Sequence, residues 1–294
     1  MKKIITLFLF FSFSICSISQ RLPDLNGMRA AYPLQPLVTL DSTNLPIVGV
    51  YTNFQSIPNE PKINAIMGII NHGYNNINHV NDSVNDFLGN IGIEKRGSVS
   101  QLWPQPSYSL ETRDSLDSTM NISLLGMPKE HDWILYGPYD DHTLMRNVLT
   151  YKISRQMGHW APRTRFCELM LNQLWWQYEG VYVMMEKIKR DNNRVDISKL
   201  DSDDNAGDSL TGGYIVAVDK NIWAPDSGFT TSNAPNLFIT YKYPSGESIT
   251  TQQKNYIKSY VDSFETALLS PNFQDLQNGW RKYAEPNSFI DFFI

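Results

Sequence analysis

Cysteine is almost missing from this sequence: Cys16 and Cys167 are the two in 294 residues. That scarcity excludes the disulfide-stapled scaffold of small secreted domains, so stability has to come from a hydrophobic core. Histidine is sparse too. The five, His72, His79, His131, His142 and His159, include no i,i+4 pair, so the helix-borne zinc motif is absent and no metal site is expected. Positive charge is not in excess. Lys and Arg total 25 against 30 Asp and Glu, a net charge of -5, which argues against the broad basic footprint that nucleic acid requires. Neither a Gly-x-Ser-x-Gly elbow nor a Walker phosphate loop occurs. Asp201, Asp203 and Asn205 begin like a calcium loop, but Ala206 stands where glycine is required and Gly212 where the closing glutamate belongs.

Long apolar runs are lacking as well, since none reaches the about 20 residues of a membrane-spanning helix. The longest opens the chain. Lys2 and Lys3 precede the apolar stretch Ile4 to Phe13, and Ser17-Ile18-Ser19 offers small residues for cleavage, the pattern of an export signal over residues 1–19. The expected product is exported, begins near Gln20 and has no integral membrane span. Cys16 follows Ile15 rather than the small residue that lipoprotein processing favours. Loss of the leader leaves Cys167 as the one remaining thiol.

Residues 20–44 read as a polar lead-in segment. Ile47 to Thr52 is β-branched enough for a strand, Ile91 to Arg96 alternates like another, and Ser107 to Thr112 resumes the pattern. Asn71 to Asn90, rich in Asn, Gly and Asp, is expected to be an irregular loop, and Arg96 to Pro106 a connection between strands. Asp141 is placed to cap a helix over His142 to Met157 that Gly158 stops. At 100° per residue Met145, Leu149, Ile153 and Met157 share one face, with Arg146 angularly between the last two. That phasing directs Arg146 toward the packed side, where a guanidinium needs a carboxylate or phosphate partner, with Glu94 and Glu111 as candidates.

Phe166 to Leu171 and Gly180 to Ile188 read as paired strands around a turn at Asn172 to Glu179, with Tyr182, Met184 and Glu186 on one face of the second. The pair Trp175-Trp176 suits sugar stacking or a turn packed on its neighbours. Asp201 to Gly213 is an acidic connection, and Gly213 to Val218 another strand. Ile257, Tyr260, Val261, Phe264 and Leu268 mark an amphipathic helix. Ser288 with Asp291 forms a helix-starting pair ahead of Phe289, Ile290, Phe292, Phe293 and Ile294. A terminus so apolar is unusual, so the chain is expected to be incomplete at its C-terminal end.

The run from Gly126 to Ile197, GMPKEHDWILYGPYDDHTLMRNVLTYKISRQMG through APRTRFCELML into YEGVYVMMEKIKRDNNRVDI, resembles the CotH-type kinases, atypical secreted protein kinases first associated with spore-coat protein H. The likeness extends upstream through LPIVGVYTNFQSIPNEPKI and IGIEKRGSVSQ, and downstream through TTQQKNYIKSYVDSFETALLSPNF. It covers residues 45–294 as one C-terminally incomplete kinase-like domain.

The resemblance implies an α+β, two-lobed protein-kinase-like fold with a complete small lobe and an incomplete large lobe. It implies transfer of phosphate from ATP, with Mg or Mn, to Ser or Thr of an exported protein substrate. Arg96, Gly97, Ser98 and Ser100 would form the phosphate loop, Arg146 would lie beside the nucleotide, and Glu186 would enter the segment that meets adenine. From residue types alone, the loop reads as an ordinary hairpin connection with a solvated Arg96, and only the resemblance turns it into a phosphate loop; Arg146 is equally a structural ion pair, and Glu186 equally an exposed strand-end carboxylate.

Two departures qualify the resemblance. Where the family carries Pro-Lys-Lys-Ser-Tyr, this chain has Pro104-Gln105-Pro106-Ser107-Tyr108, so the phosphate-orienting lysine is replaced by neutral residues. The family's Asn-x-Asp-Gly-Tyr-like and Trp-Asp-Phe-like motifs, which carry its proton-accepting and metal-binding aspartates, do not occur. No residue is therefore assigned as catalytic base or metal ligand, and the chain alone is expected to be inactive. The alternative is a non-catalytic binding or structural module at the cell surface that retains the fold.

Overall fold

The computed structural model describes residues 39–219 and 227–293; the export signal and most of the lead-in lie outside the described residues. These residues form two compact units that divide between Ile188 and Lys189 along the chain. The architecture is mixed α+β with a sheet-rich core.

The first unit contains β1 (Ser42–Thr43), β2 (Ile47–Tyr51), β3 (Ile63–Ile70), β4 (Asn78–His79), β5 (Phe87–Arg96), β6 (Ser107–Arg113), β7 (Asp132–Tyr136), α1 (Arg146–Gln156), β8 (Thr164–Asn172) and β9 (Trp176–Glu186). Seven of the strands close into a barrel in the order β2-β3-β5-β6-β7-β9-β8. Neighbours run antiparallel except at the closing seam, where β8 lies parallel to β2 with Ile47 opposite Glu168. Closure follows from alternation: Val48 and Val50, Met67 and Ile69, Ile91 and Ile93, and Cys167 and Leu169 are successive same-face pairs, all in one buried core cluster. Each such aliphatic side chain contributes about 1.5–3 kcal/mol by burial.

The second unit contains α2 (Gly207–Leu210), β10 (Ile215–Val218), β11 (Gly228–Thr230), β12 (Phe238–Tyr243), α3 (Thr251–Leu269) and α4 (Pro286–Phe293). The strands form an antiparallel sheet in the order β10-β12-β11, and Ile257 and Val261 of α3 share a core with Val216, Ile239 and Tyr241. Thr250 starts α3 with a capping box: its hydroxyl accepts from Gln253 N–H at 3.3 Å and its own N–H donates to Gln253 Oε1 at 3.1 Å.

Several sequence expectations need correction. The segment 71–90 is not all loop, because β4 lies within it and β5 begins at Phe87. Its asparagines replace missing backbone partners: buried Asn78 accepts from His72 N–H at 2.8 Å and donates to Leu45 O at 2.9 Å. The turn between β8 and β9 is only residues 173–175, since both strands run further than apolar content suggests. Leu174, Trp175 and Trp176 stand largely exposed there, although the Trp176 ring covers Gly49, 3.5 Å from where a Cβ would sit. The acidic connection 201–213 contains α2. Helix α4 begins at Pro286, and Ser288 Oγ donates to Glu285 O at 2.8 Å rather than acting as the cap.

The largest correction concerns α1. It starts at Arg146, not His142, because Leu144 adopts φ +58° and breaks the turn. Asp141 still serves the start, accepting from Arg146 N–H at 2.8 Å and from Thr143 N–H at 3.0 Å. Met145, Leu149 and Ile153 are exposed. The helix instead seats Val148 and Tyr151 against Ile134, Val183 and Met185 on the outside of the barrel, so the true seam is rotated from the apolar stripe. Arg146 goes outward with that rotation.

Candidate functional site

Loop 96–106 joins β5 to β6 at one mouth of the barrel, with Arg96 opposite Ser107 in register. Gly97 sits at φ +107°, where a Cβ would collide with Ser100 Oγ, so the backbone folds back on itself only because residue 97 is glycine. A short 3-10 turn, Val99–Leu102, follows without a side-chain cap from Ser98. Gln101 holds the turn from inside, donating to Gly97 O at 2.6 Å and to Asn59 Oδ1 at 2.5 Å. Arg96 is exposed and makes no ion pair among the described residues. The protein around its guanidinium nonetheless lowers its pKa, an effect that the charge of nearby Tyr151 opposes.

The arrangement therefore offers an uncompensated guanidinium, the hydroxyls of Ser98 and Ser100, and a glycine that lets backbone approach. That donor set suits a phosphate group. Gln105, at the position where the resemblance led us to expect a lysine, is held just as definitely. Gln105 Nε2 donates to Val181 O at 2.8 Å across to β9, and the Gln105 backbone oxygen lies 2.6 Å from where a Gly137 Cβ would stand. Position 105 is thus knitted into the sheet.

The other predicted residues do not converge on this loop. Arg146 has its side chain 75% exposed and pairs with Asp141, Nε to Oδ1, at 3.5 Å; its expected partners are engaged elsewhere. Glu94 pairs with Lys62 at 3.6 Å, and Glu111 with Lys62 at 3.7 Å and Arg113 at 3.1 Å. Tyr151, on the same helix, is close enough to Arg96 for their charges to interact. Glu186 is fully buried rather than exposed: Oε1 accepts from Arg163 Nε at 2.7 Å and Oε2 from Arg163 N–H at 2.8 Å. Glu186 lies opposite Trp133, which faces Leu110, whereas Arg96 is level with Ser107. Three rungs separate Leu110 from Ser107, about 10 Å at strand spacing.

Two groupings escaped the sequence reading. Glu130, His131 and Asp132 present ligand atoms within 4.8 Å of one another and are able to hold a divalent metal. His131 Nδ1 lies 3.0 Å from Glu130 Oε1 and 2.8 Å from Asn121 Oδ1, and Lys187 Nζ lies 3.5 Å from Asp132 Oδ1. The contiguous Glu-His-Asp was the available signal. The second is Glu179, the extra residue of a β-bulge between Leu169–Gly180 and Met170–Tyr178. Nothing in its sequence surroundings marks it.

The sequence matches the CotH kinase protein family over residues 93–294, a span that contains the loop, α1, both groupings and the entire second unit. The chain belongs to the CotH kinase family. No curated protein matches it significantly. The exposed turn at 96–100 lies inside the matched span.

Proposed function

We propose that this CotH family protein is an exported phosphotransferase that uses ATP and a divalent metal to phosphorylate Ser or Thr of secreted or surface proteins. On this reading residues 1–19 are the export signal. Residues 45–294 belong to the kinase domain, the barrel unit acting as small lobe and residues 189–293 opening the large lobe. The observation that carries it is Arg96 standing without a carboxylate beside the Gly97-Ser98-Ser100 turn, inside the family match. ATP phosphates would meet Arg96, Ser98 and Ser100, while Arg146 and Glu186 serve as structure. The metal supplies charge neutralisation of the phosphates when bound.

Equilibrium binding of ATP with Mg2+ to the mature chain tests the loop. Binding is expected to weaken about tenfold in Arg96→Ala, as for loss of a charge-assisted bond, and undiminished binding would refute the assignment. Mass spectrometry of secreted and cell-associated protein tests export, with intact Met1 on cytoplasmic material as the contrary result.

Gln105 favours a second reading, a surface binding module with the fold but not the chemistry. Its amide is committed to Val181 O, leaving no cation at the family's lysine position. Absence of ATP binding under the same conditions would select that reading.

A further inference from the structure

The tip of the β8–β9 hairpin carries Trp175 and Trp176, to which the phosphotransferase reading gives no role. Alternation fixes what flanks Trp176. Val48 and Val50 of β2, Met67 and Ile69 of β3, and Leu169 and Leu171 of β8 lie in the barrel core, so their neighbours Tyr51, Ile66 and Asn172 face outward. Ladder register then sets Trp176, Asn172, Tyr51 and Ile66 in one row across β9, β8, β2 and β3. In the next row Gly49 has no side chain, which leaves room for a ring. The Trp176 indole takes that room, with Cη2 3.5 Å from where a Gly49 Cβ would be. Because β8 separates β9 from β2, the indole has to lie across β8 to reach there. Trp176 still stays 50% exposed, so it forms a platform with one side on the sheet and the other in solvent. Tyr51, about 10 Å along the row at strand spacing, continues the aromatic surface, with exposed Phe54 packed edge-on against it at 5.6 Å.

Between the two rings sits an unsatisfied acceptor. Asn172 is 8% exposed, and its Oδ1 is buried without a hydrogen-bond partner. An acceptor in that state is costly, and a hydroxyl entering beside the indole would relieve it. Charge is missing from the whole face. Residues 45–59, 63–81 and 169–178 contain no Lys, Arg, Asp or Glu, although those types make up 19% of the chain. Such a surface offers nothing to a phosphate, a nucleic acid or anionic lipid headgroups. It offers aromatic faces to C–H groups and amides to hydroxyls, and a neutral sugar presents both. Pyranose rings with equatorial hydroxyls have flat C–H faces, which match a flat indole.

We propose that this outer face of the barrel binds a neutral glycan of β-linked, equatorially hydroxylated sugars, stacked on Trp176 and Tyr51 and donating a hydroxyl to Asn172 Oδ1. The inference does not depend on phosphate transfer and stands or falls separately from it.

Calorimetric titration of the mature chain with cellohexaose, xylohexaose and chitohexaose tests it, with hexagalacturonate as the charged control and thermal melts to confirm folding of each variant. At least one neutral hexamer should bind in the micromolar to millimolar range, and hexagalacturonate should not. Trp176→Ala should weaken binding about tenfold or more, as loss of a stacking platform does, and Asn172→Ala about fivefold, as loss of a hydrogen bond does. Tyr51→Ala, also expected to weaken binding, carries the test if Trp176→Ala fails to fold. Leu149→Ala removes a comparably exposed apolar side chain from α1 and should leave affinity unchanged. An affinity equal to wild type in folded Trp176→Ala or Asn172→Ala overturns the inference, as does an equal loss in Leu149→Ala, which would mean general adhesion. Failure to bind all three neutral hexamers overturns it too. In that case, vesicle binding or a dimer that Trp176→Ala abolishes would identify a membrane or a second copy as the occupant.

Discussion

Arg163 holds Glu186 twice, once through its main-chain N–H to Oε2 at 2.8 Å and once through Nε to Oε1 at 2.7 Å. The residue that resemblance placed beside adenine is thereby the buried anchor at the end of β9. Arg163→Ala keeps the backbone bond and loses the side-chain one, leaving a fully buried carboxylate short of a charged donor. Urea unfolding should show a loss of about 1.5–3 kcal/mol, with Arg163→Lys recovering part. An unchanged midpoint would mean that the pair carries no stability.

Arg146 and Asp141 make a different kind of pair. With the guanidinium mostly in solvent, Arg146→Ala should change stability by less than about 1 kcal/mol. Asp141 matters more, because it accepts from Thr143 and from the first N–H of α1. Its hydrogen bonds, chiefly that from the Thr143 side chain, lower its pKa below the ordinary 3.8. A lowered folded pKa means the contribution is complete above the unfolded value and is lost as pH falls through the folded one. Asp141→Asn should therefore lower the melting temperature at neutral pH, and the gap from wild type should close as pH drops below about 3.8. A gap independent of pH would refute the capping role.

Cys167 faces the barrel core, and burial pushes its thiol up to about 12. At neutral pH both exposure and thiolate are lacking. Ellman's reagent should leave the native protein unmodified for as long as it stays folded and titrate one thiol per mature chain in guanidinium chloride. Rapid native labelling would show that the barrel opens.

Gly97→Ala places a Cβ at φ +107° against Ser100 Oγ. The turn must then rearrange, at a cost above about 1 kcal/mol for a non-glycine residue in that conformation, and ATP affinity should fall with it. Adding Ser100→Ala removes the collision but not the backbone strain. The double variant should regain stability relative to Gly97→Ala alone without regaining ATP affinity, a pattern that thermal melts and binding titration read separately.

Where alternation governed the local choice, the fold was legible. Val48 and Val50, Ile91 and Ile93, and Tyr182 and Met184 repeat every second residue, and each set lies on the face that is buried. The helix face was not legible, because Met145, Leu149 and Ile153 make a better apolar stripe than Val148 and Tyr151. What decides is the shape of the surface formed by Ile134, Val183 and Met185, which comes from strands distant in sequence. The loop at 96–100 was visible through Gly97 between flanking strands. Glu179 was not, since a bulge is a property of two strands compared and no single segment reveals it.

The parallel seam between β2 and β8 joins residues 47–51 to residues 168–172, so the first and nearly the last strand of the barrel must find each other. Such a topology has high contact order and folds slowly, because more than a hundred residues of loop closure precede its completion. A chain interrupted after Tyr136 would carry β2 and β7 as two raw edges, each a template for pairing with another molecule. The barrel is thus an all-or-nothing object during synthesis, and premature termination within it should yield aggregate rather than a smaller soluble domain.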